Sequence, residues 1–176
     1  QILPIHDTTL TGENTDSYPY NAISVYAFHP MYVDLRALPA LPDARQQAAF
    51  DREFRELNAL PTIDYARVNK LKRDFLLLSF RAHCRELLKS QAYATFAAHH
   101  AQWLPAYAAF SALRDKFAIP DFHRWPQHAE CDAEAVAATF AAGTAERETY
   151  DFYCYVQYLL HTQLSEVTAH ARRSGV

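Results

Sequence analysis

The residues whose types and crowding suggest chemistry lie in one stretch, Asp16 to Leu35, where Tyr18, Tyr20, Tyr26, Phe28, His29 and Tyr32 are interleaved with Pro19, Pro30, Asp16 and Asp34. Tyrosine rings of this kind rest on the C–H faces of sugars, while Tyr hydroxyls, Asn and Asp hydrogen-bond the hydroxyls at the rim. The residue types fit a glucan. They also fit an aromatic-rich extended segment packed into a core, and chemistry alone favours that second reading.

Transfer or hydrolysis of a glycosidic bond needs two carboxylates, about 5 to 5.5 Å apart in retaining enzymes and wider in inverting ones. Asp7, Glu13, Asp16 and Asp34 are the carboxylates of the amino-terminal region, and their spacing pairs none of them. Loop and capping roles are expected instead. The nine histidines form no His-Glu-x-x-His run, and adjacent His99 and His100 diverge on a helix, so no metal is expected. Cys84 and its neighbour His83 diverge in the same way, which argues against a thiol nucleophile. The three glycines stand alone and build no phosphate loop.

A chain of 176 residues suits one domain, large enough to bury roughly 70% of the surface its unfolded form exposes. Abundant Ala, Leu, Phe and Tyr with few glycines favour a mainly α protein. A formal charge of −3 with scattered Lys and Arg offers no footprint for nucleic acid or anionic lipid. No apolar run approaches the ~18 residues that cross a bilayer. Cys84, Cys131 and Cys154 are odd in number and widely spaced, as expected of reduced thiols in a cytoplasmic protein. The chain opens at Gln1 with neither an initiator Met nor a signal pattern, which predicts a start in mid-domain.

The elements that must position the aromatic stretch follow from local patterns. Ile2, Leu3 and Ile5 predict a short buried strand running into the polar loop from His6. Ile23, Val25 and Ala27, then Met31, Val33 and Leu35, alternate as extended chain does. From Pro42 the period becomes helical: Asp43 caps a helix carrying Phe50, Phe54 and Leu57, and Asp64 caps a longer one with Val68, Leu71, Phe75 and Leu78. A short helix holds Tyr93 and Phe96. Another opens at Trp103-Leu104-Pro105 and stops before Pro120, and Asp121 to Gln127 is a loop with anchored aromatics. Asp132 caps a brief Ala-rich helix ended by Gly143. A last helix runs from about Ala145 to Arg173, roughly 40 Å. Its first half is apolar all round, so it is either buried on several sides or faces another piece of protein.

The aromatic stretch also resembles a known family. Tyr18-Pro19-Tyr20-Asn21-Ala22-Ile23-Ser24 followed by Phe28-His29-Pro30 is similar to the early signature of the amylomaltases, or 4-alpha-glucanotransferases. Asp16-Ser17-Tyr18-Pro19-Tyr20, His29-Pro30 and the opening Leu3-Pro4-Ile5-His6-Asp7-Thr8 look closest to the branch that includes the plant cytosolic disproportionating enzyme and its bacterial relatives. The likeness continues through Ile63-Asp64-Tyr65, Trp103-Leu104, Trp125-Pro126 and Val156-Gln157-Tyr158, and covers nearly the whole chain.

The resemblance implies the helical insertion region of a (β/α)8-barrel enzyme with a short extended amino-terminal segment. Residues 1–41 would be a barrel-strand end with a sugar-site loop, and residues 42–176 a helical subdomain. His6 and Asp7 would open on the active face. Tyr20 would stack on the donor sugar, and Asp16, Ser17 and Ser24 would support the loop or touch sugar hydroxyls. The family has a serine where Tyr18 stands.

The family's nucleophile lies in an Asp-Gly-x-Arg-x-Asp run, and this chain contains no Asp-Gly. The implied picture is a fragment, inactive alone, of an enzyme that transfers α-1,4-glucosyl units between maltose or maltodextrins and glucan acceptors without any cofactor. Barrel-facing apolar surface would make the fragment self-associate. The alternative is a stand-alone, non-catalytic helical module that binds a partner through the last helix.

Overall fold

The computed structural model of the chain describes residues 3–176, and they form a mainly helical structure. Six α-helices follow an irregular amino-terminal segment: α1 (Ala44–Asn58), α2 (Tyr65–Leu87), α3 (Gln91–His99), α4 (Leu104–Phe117), α5 (Ala133–Thr139) and α6 (Arg147–Arg173). Their starts are written locally. The Asp43, Asp64, Ser90 and Asp132 side chains each accept from backbone N–H groups of the first turn that would otherwise lack partners. Helix α4 instead opens on Trp103 with Pro105 in its first turn, and it ends with Ala118 in the left-handed conformation at φ 53°.

The long helices α2, α4 and α6 pack together, with the tightest association between α4 and α6. Leu76, Leu113 and Leu160, one from each, are fully buried in the shared core. Each contributes about 1.5–3 kcal/mol relative to remaining in water. In α6 the consecutive residues Phe152 to Gln157 are all buried, because α2 and α4 cover one part of the helix and the amino-terminal segment another. Of the two outcomes open to this apolar half, burial on several sides holds. The surface on which the stand-alone interaction module depended is therefore interior.

Two expectations for the amino-terminal segment are corrected. No strand forms among the described residues: His6 and Phe28 make one isolated antiparallel bridge, and Leu3 is 65% exposed. Ile2 lies outside the described residues. The alternation over 31–35 does not produce extended chain either, since 3₁₀ turns form at Pro30–Tyr32 and Leu35–Ala37. Proline fixes φ near −65°, which suits the first residue of such a turn, and His29 Nδ1 accepts from the Met31 N–H to cap it. Asp34 caps the second turn through the Arg36 N–H. Further 3₁₀ turns form at Asn14–Ser17 and, within the expected aromatic loop, at Phe122–Arg124.

Candidate functional site

The aromatic stretch owes its shape to side chains that supply what a neighbouring strand would. Backbone bonds pair it with the segment before it: the Asp7 N–H donates to the Ala27 carbonyl at 2.8 Å, the Ile23 N–H to the Asp7 carbonyl at 2.8 Å, and the His29 N–H to the Ile5 carbonyl at 3.0 Å. On the other side stands α6. The Gln157 amide accepts from the Phe28 N–H at 2.9 Å and donates to the Phe28 carbonyl at 2.8 Å. Gln163 repeats this with Asp34, at 2.9 and 3.0 Å. Two glutamines six residues apart on a helix thus grip two residues six apart on the segment.

A buried polar relay reinforces the grip. Gln157 Nε2 also donates to the Tyr107 hydroxyl at 3.2 Å, which donates in turn to the Asp7 carboxylate at 2.6 Å. Asp7 accepts from the Thr9 N–H at 2.9 Å with its other oxygen and is only 1% exposed. Burial, with the Asp7 charge beside it, raises the Tyr107 hydroxyl far above its ordinary titration range, so it stays a proton donor. Lys72 of α2 donates to the carbonyls of Met31 and Val33 and ties the Pro30–Tyr32 turn to the bundle.

The four residues singled out in the sequence occupy three kinds of position. Asp16 is 6% exposed, and its carboxylate accepts from the N–H groups of Leu10, Thr11 and Gly12 at 3.0, 2.8 and 2.7 Å, so it organises the loop from within. Ser24 Oγ accepts from the Tyr26 and Ala27 N–H groups at 3.2 and 3.3 Å, a turn that serves its own backbone. Ser17 is exposed at the end of the Asn14–Ser17 turn. Tyr20 is 64% exposed beside Tyr18, 60% exposed, with ring centroids 5.5 Å apart in a tilted pair. Tyr26 is likewise exposed and lies parallel to Trp103, with centroids 6.2 Å apart.

Tyr20 is therefore offered to solvent on a loop whose backbone is anchored from below, the geometry of a stacking platform. It is not a core ring. Asp7 is not free to touch a ligand, because both oxygens face buried donors. The role of Gln157 escaped the sequence reading. Its signal was an amide inside an otherwise apolar helical run, where an unpaired polar group would cost about 1–3 kcal/mol.

The 4-alpha-glucanotransferase family model matches residues 1–176. The chain is 33% identical over 181 aligned positions to a 4-alpha-glucanotransferase of Oryza sativa subsp. japonica, covering 100% of this chain and 18% of that protein. A 4-alpha-glucanotransferase of Chlamydia trachomatis is 31% identical over 97% of this chain and 31% of its own length. One of Thermus thermophilus is 28% identical over 100% of this chain and 33% of its own. The chain thus spans a third or less of the curated relatives it matches. With a match from end to end, and with the motif that drew attention in the sequence standing as an anchored aromatic loop, the chain belongs to the 4-alpha-glucanotransferase family.

Proposed function

We propose that this chain is part of a 4-alpha-glucanotransferase and contributes one wall of its sugar site, with Tyr20 as the ring that stacks on a donor glucose. The observation that carries the proposal is the exposure of Tyr20 on a loop fixed by Asp16 and Gln157. A stacking residue gains most when its ring is presented without a further ordering cost. In this reading residues 1–41 form the sugar-site segment and residues 42–176 the helical insertion of a (β/α)8-barrel enzyme.

The complete enzyme transfers α-1,4-glucosyl units from maltose or maltodextrin to glucan acceptors in the cytoplasm, by retaining transglycosylation and without a cofactor. Its two carboxylates belong to sequence outside this chain, so the chain alone is inactive. Asp16, Ser17 and Ser24 act mainly by holding the loop. The family match and the share of the relatives' length that the chain covers support this reading.

The test is Tyr20→Ala in the full-length enzyme. Turnover on maltodextrin is expected to fall tenfold or more while the melting temperature moves by no more than about 1–2 °C, as for a surface substitution. Unchanged turnover would remove Tyr20 from the sugar site.

A further inference from the structure

Behind the aromatic loop, on the side facing the bundle, lies a cavity of about 200 Å³ between the amino-terminal segment and α2, α4 and α6. Tyr20 and Ser24 are not among its walls. Apolar surface makes up most of its wall, and its polar lining comes from Asp7, Thr9 and His29 of the segment, Asn69, Lys70, Lys72 and Arg73 of α2, Arg114 of α4 and Tyr153 of α6.

The hydrogen-bonding capacity left over in this wall is mostly that of donors, with the Asn69 Oδ1 as a free acceptor among them. Lys72 spends two of its three N–H groups on the carbonyls of Met31 and Val33. Arg114 bonds Thr9, Asp115 and Tyr153 and keeps one N–H, and Arg73 spends a single nitrogen on Asp115. The Asn69 amide has no hydrogen-bond partner among the described residues. On the acceptor side, both oxygens of Asp7 are committed to Thr9 and Tyr107.

The charges are unbalanced in the same direction. Lys72, Arg73 and Arg114 face Asp7 and the adjoining Asp115, and Lys72 has no carboxylate within ion-pair distance among the described residues. Burial pulls the Lys72 ammonium below its ordinary pKa, as happens to a cation short of counter-charge, with Asp34 offsetting only part of that.

We infer that this cavity binds a small oxyanion of the phosphate or phosphate-monoester class, held between Asn69, Lys72 and Arg114. An acceptor-rich anion is the complement of a wall with spare N–H groups and excess positive charge. The space corresponds to roughly six waters, enough for phosphate carrying a small organic group. The site is separate from the sugar contact of Tyr20, and its failure would leave that reading untouched.

The experiment titrates the full-length enzyme with inorganic phosphate, glucose 6-phosphate and, as a neutral control, glucose, following backbone amide resonances. Both phosphates are expected to shift Gly12, Asn69 and Lys72 saturably, and glucose is not. A tighter monoester assigns the organic half to the cavity; equal affinities assign free phosphate as the ligand. Lys72→Met is expected to weaken binding tenfold or more. Asn69→Leu, which breaks no hydrogen bond and so keeps the fold, is expected to weaken it several-fold and decides the matter if Lys72→Met unfolds. Shifts confined to exposed basic residues such as Arg172 and Arg173, an affinity unchanged in Asn69→Leu, or glucose shifting Gly12, Asn69 and Lys72 as phosphate does would each overturn the proposal.

Discussion

At the scale of single residues, Asp16 and Tyr20 carry opposite duties although they sit four positions apart in one motif. Asp16→Ala strips three N–H groups of a charged acceptor, and a loss of about 2–4 kcal/mol in urea unfolding is expected. Tyr20→Ala, judged by the same measurement, is expected to stay within about 0.5 kcal/mol. The histidines add a pH dependence. Burial, despite the nearby Asp7 and Asp16, lowers the pKa of His29 from its ordinary 6.5, and burial with neighbouring histidines lowers those of His100 and His161. The Trp103 indole N–H donates to His100 Nδ1 at 3.1 Å, a bond that a protonated ring cannot accept. Below pH 6.5 the unfolded chain binds more protons at these sites than the folded one, so stability is full above that value and declines as pH falls through the depressed folded pKa values. Calorimetry in steps from about pH 7.5 to 5 is expected to show a falling melting temperature, with a smaller fall in His161→Phe. A flat profile would contradict this account.

At the scale of elements, α6 acts as a substitute strand. Gln157→Leu leaves the Phe28 N–H and carbonyl without their partner and takes one donor from Tyr107, so a cost of about 2–4 kcal/mol is expected, with faster hydrogen exchange at the Phe28 amide. Gln163 makes the same pair of bonds to Asp34 nearer solvent, where water replaces a lost partner. Gln163→Leu is accordingly expected to cost less than about 1 kcal/mol. Helix α4 ends on a left-handed alanine, a conformation that disfavours a Cβ by about 1 kcal/mol. Ala118→Gly is expected to raise stability by roughly 0.5 kcal/mol in thermal unfolding, the gain being reduced by the greater freedom of glycine in the unfolded chain. Helix starts were legible because a cap is a contact between residues two or three apart, as at Asp43, Asp64 and Asp132. The 3₁₀ turn at Pro30 runs against the alternation of Met31, Val33 and Leu35 because the fixed φ of the proline and the His29 cap override it.

At the scale of the whole molecule, Leu3, Tyr18, Tyr20, Val25 and Tyr26 are each at least 60% exposed and come from the same amino-terminal segment. Apolar surface of that kind is costly to leave in water. If it faces the barrel in the complete enzyme, the isolated chain is expected to self-associate, and sedimentation velocity should show a mass that rises with concentration and falls in Val25→Asp. Concentration-independent monomer would argue against a barrel-facing role. By itself, the sequence determined the helical class, the capped starts of the helices and the apolar girth of α6, because each is encoded in composition or in residues within one or two turns of each other. It also carried the aromatic motif that pointed to the family. Only the tertiary structure decided that Tyr20 faces outward while Asp16 and Asp7 face inward, and that Gln157 bonds Phe28 across 129 residues. Those outcomes depend on which surfaces meet when α2, α4 and α6 close on the segment, and no local pattern records that meeting.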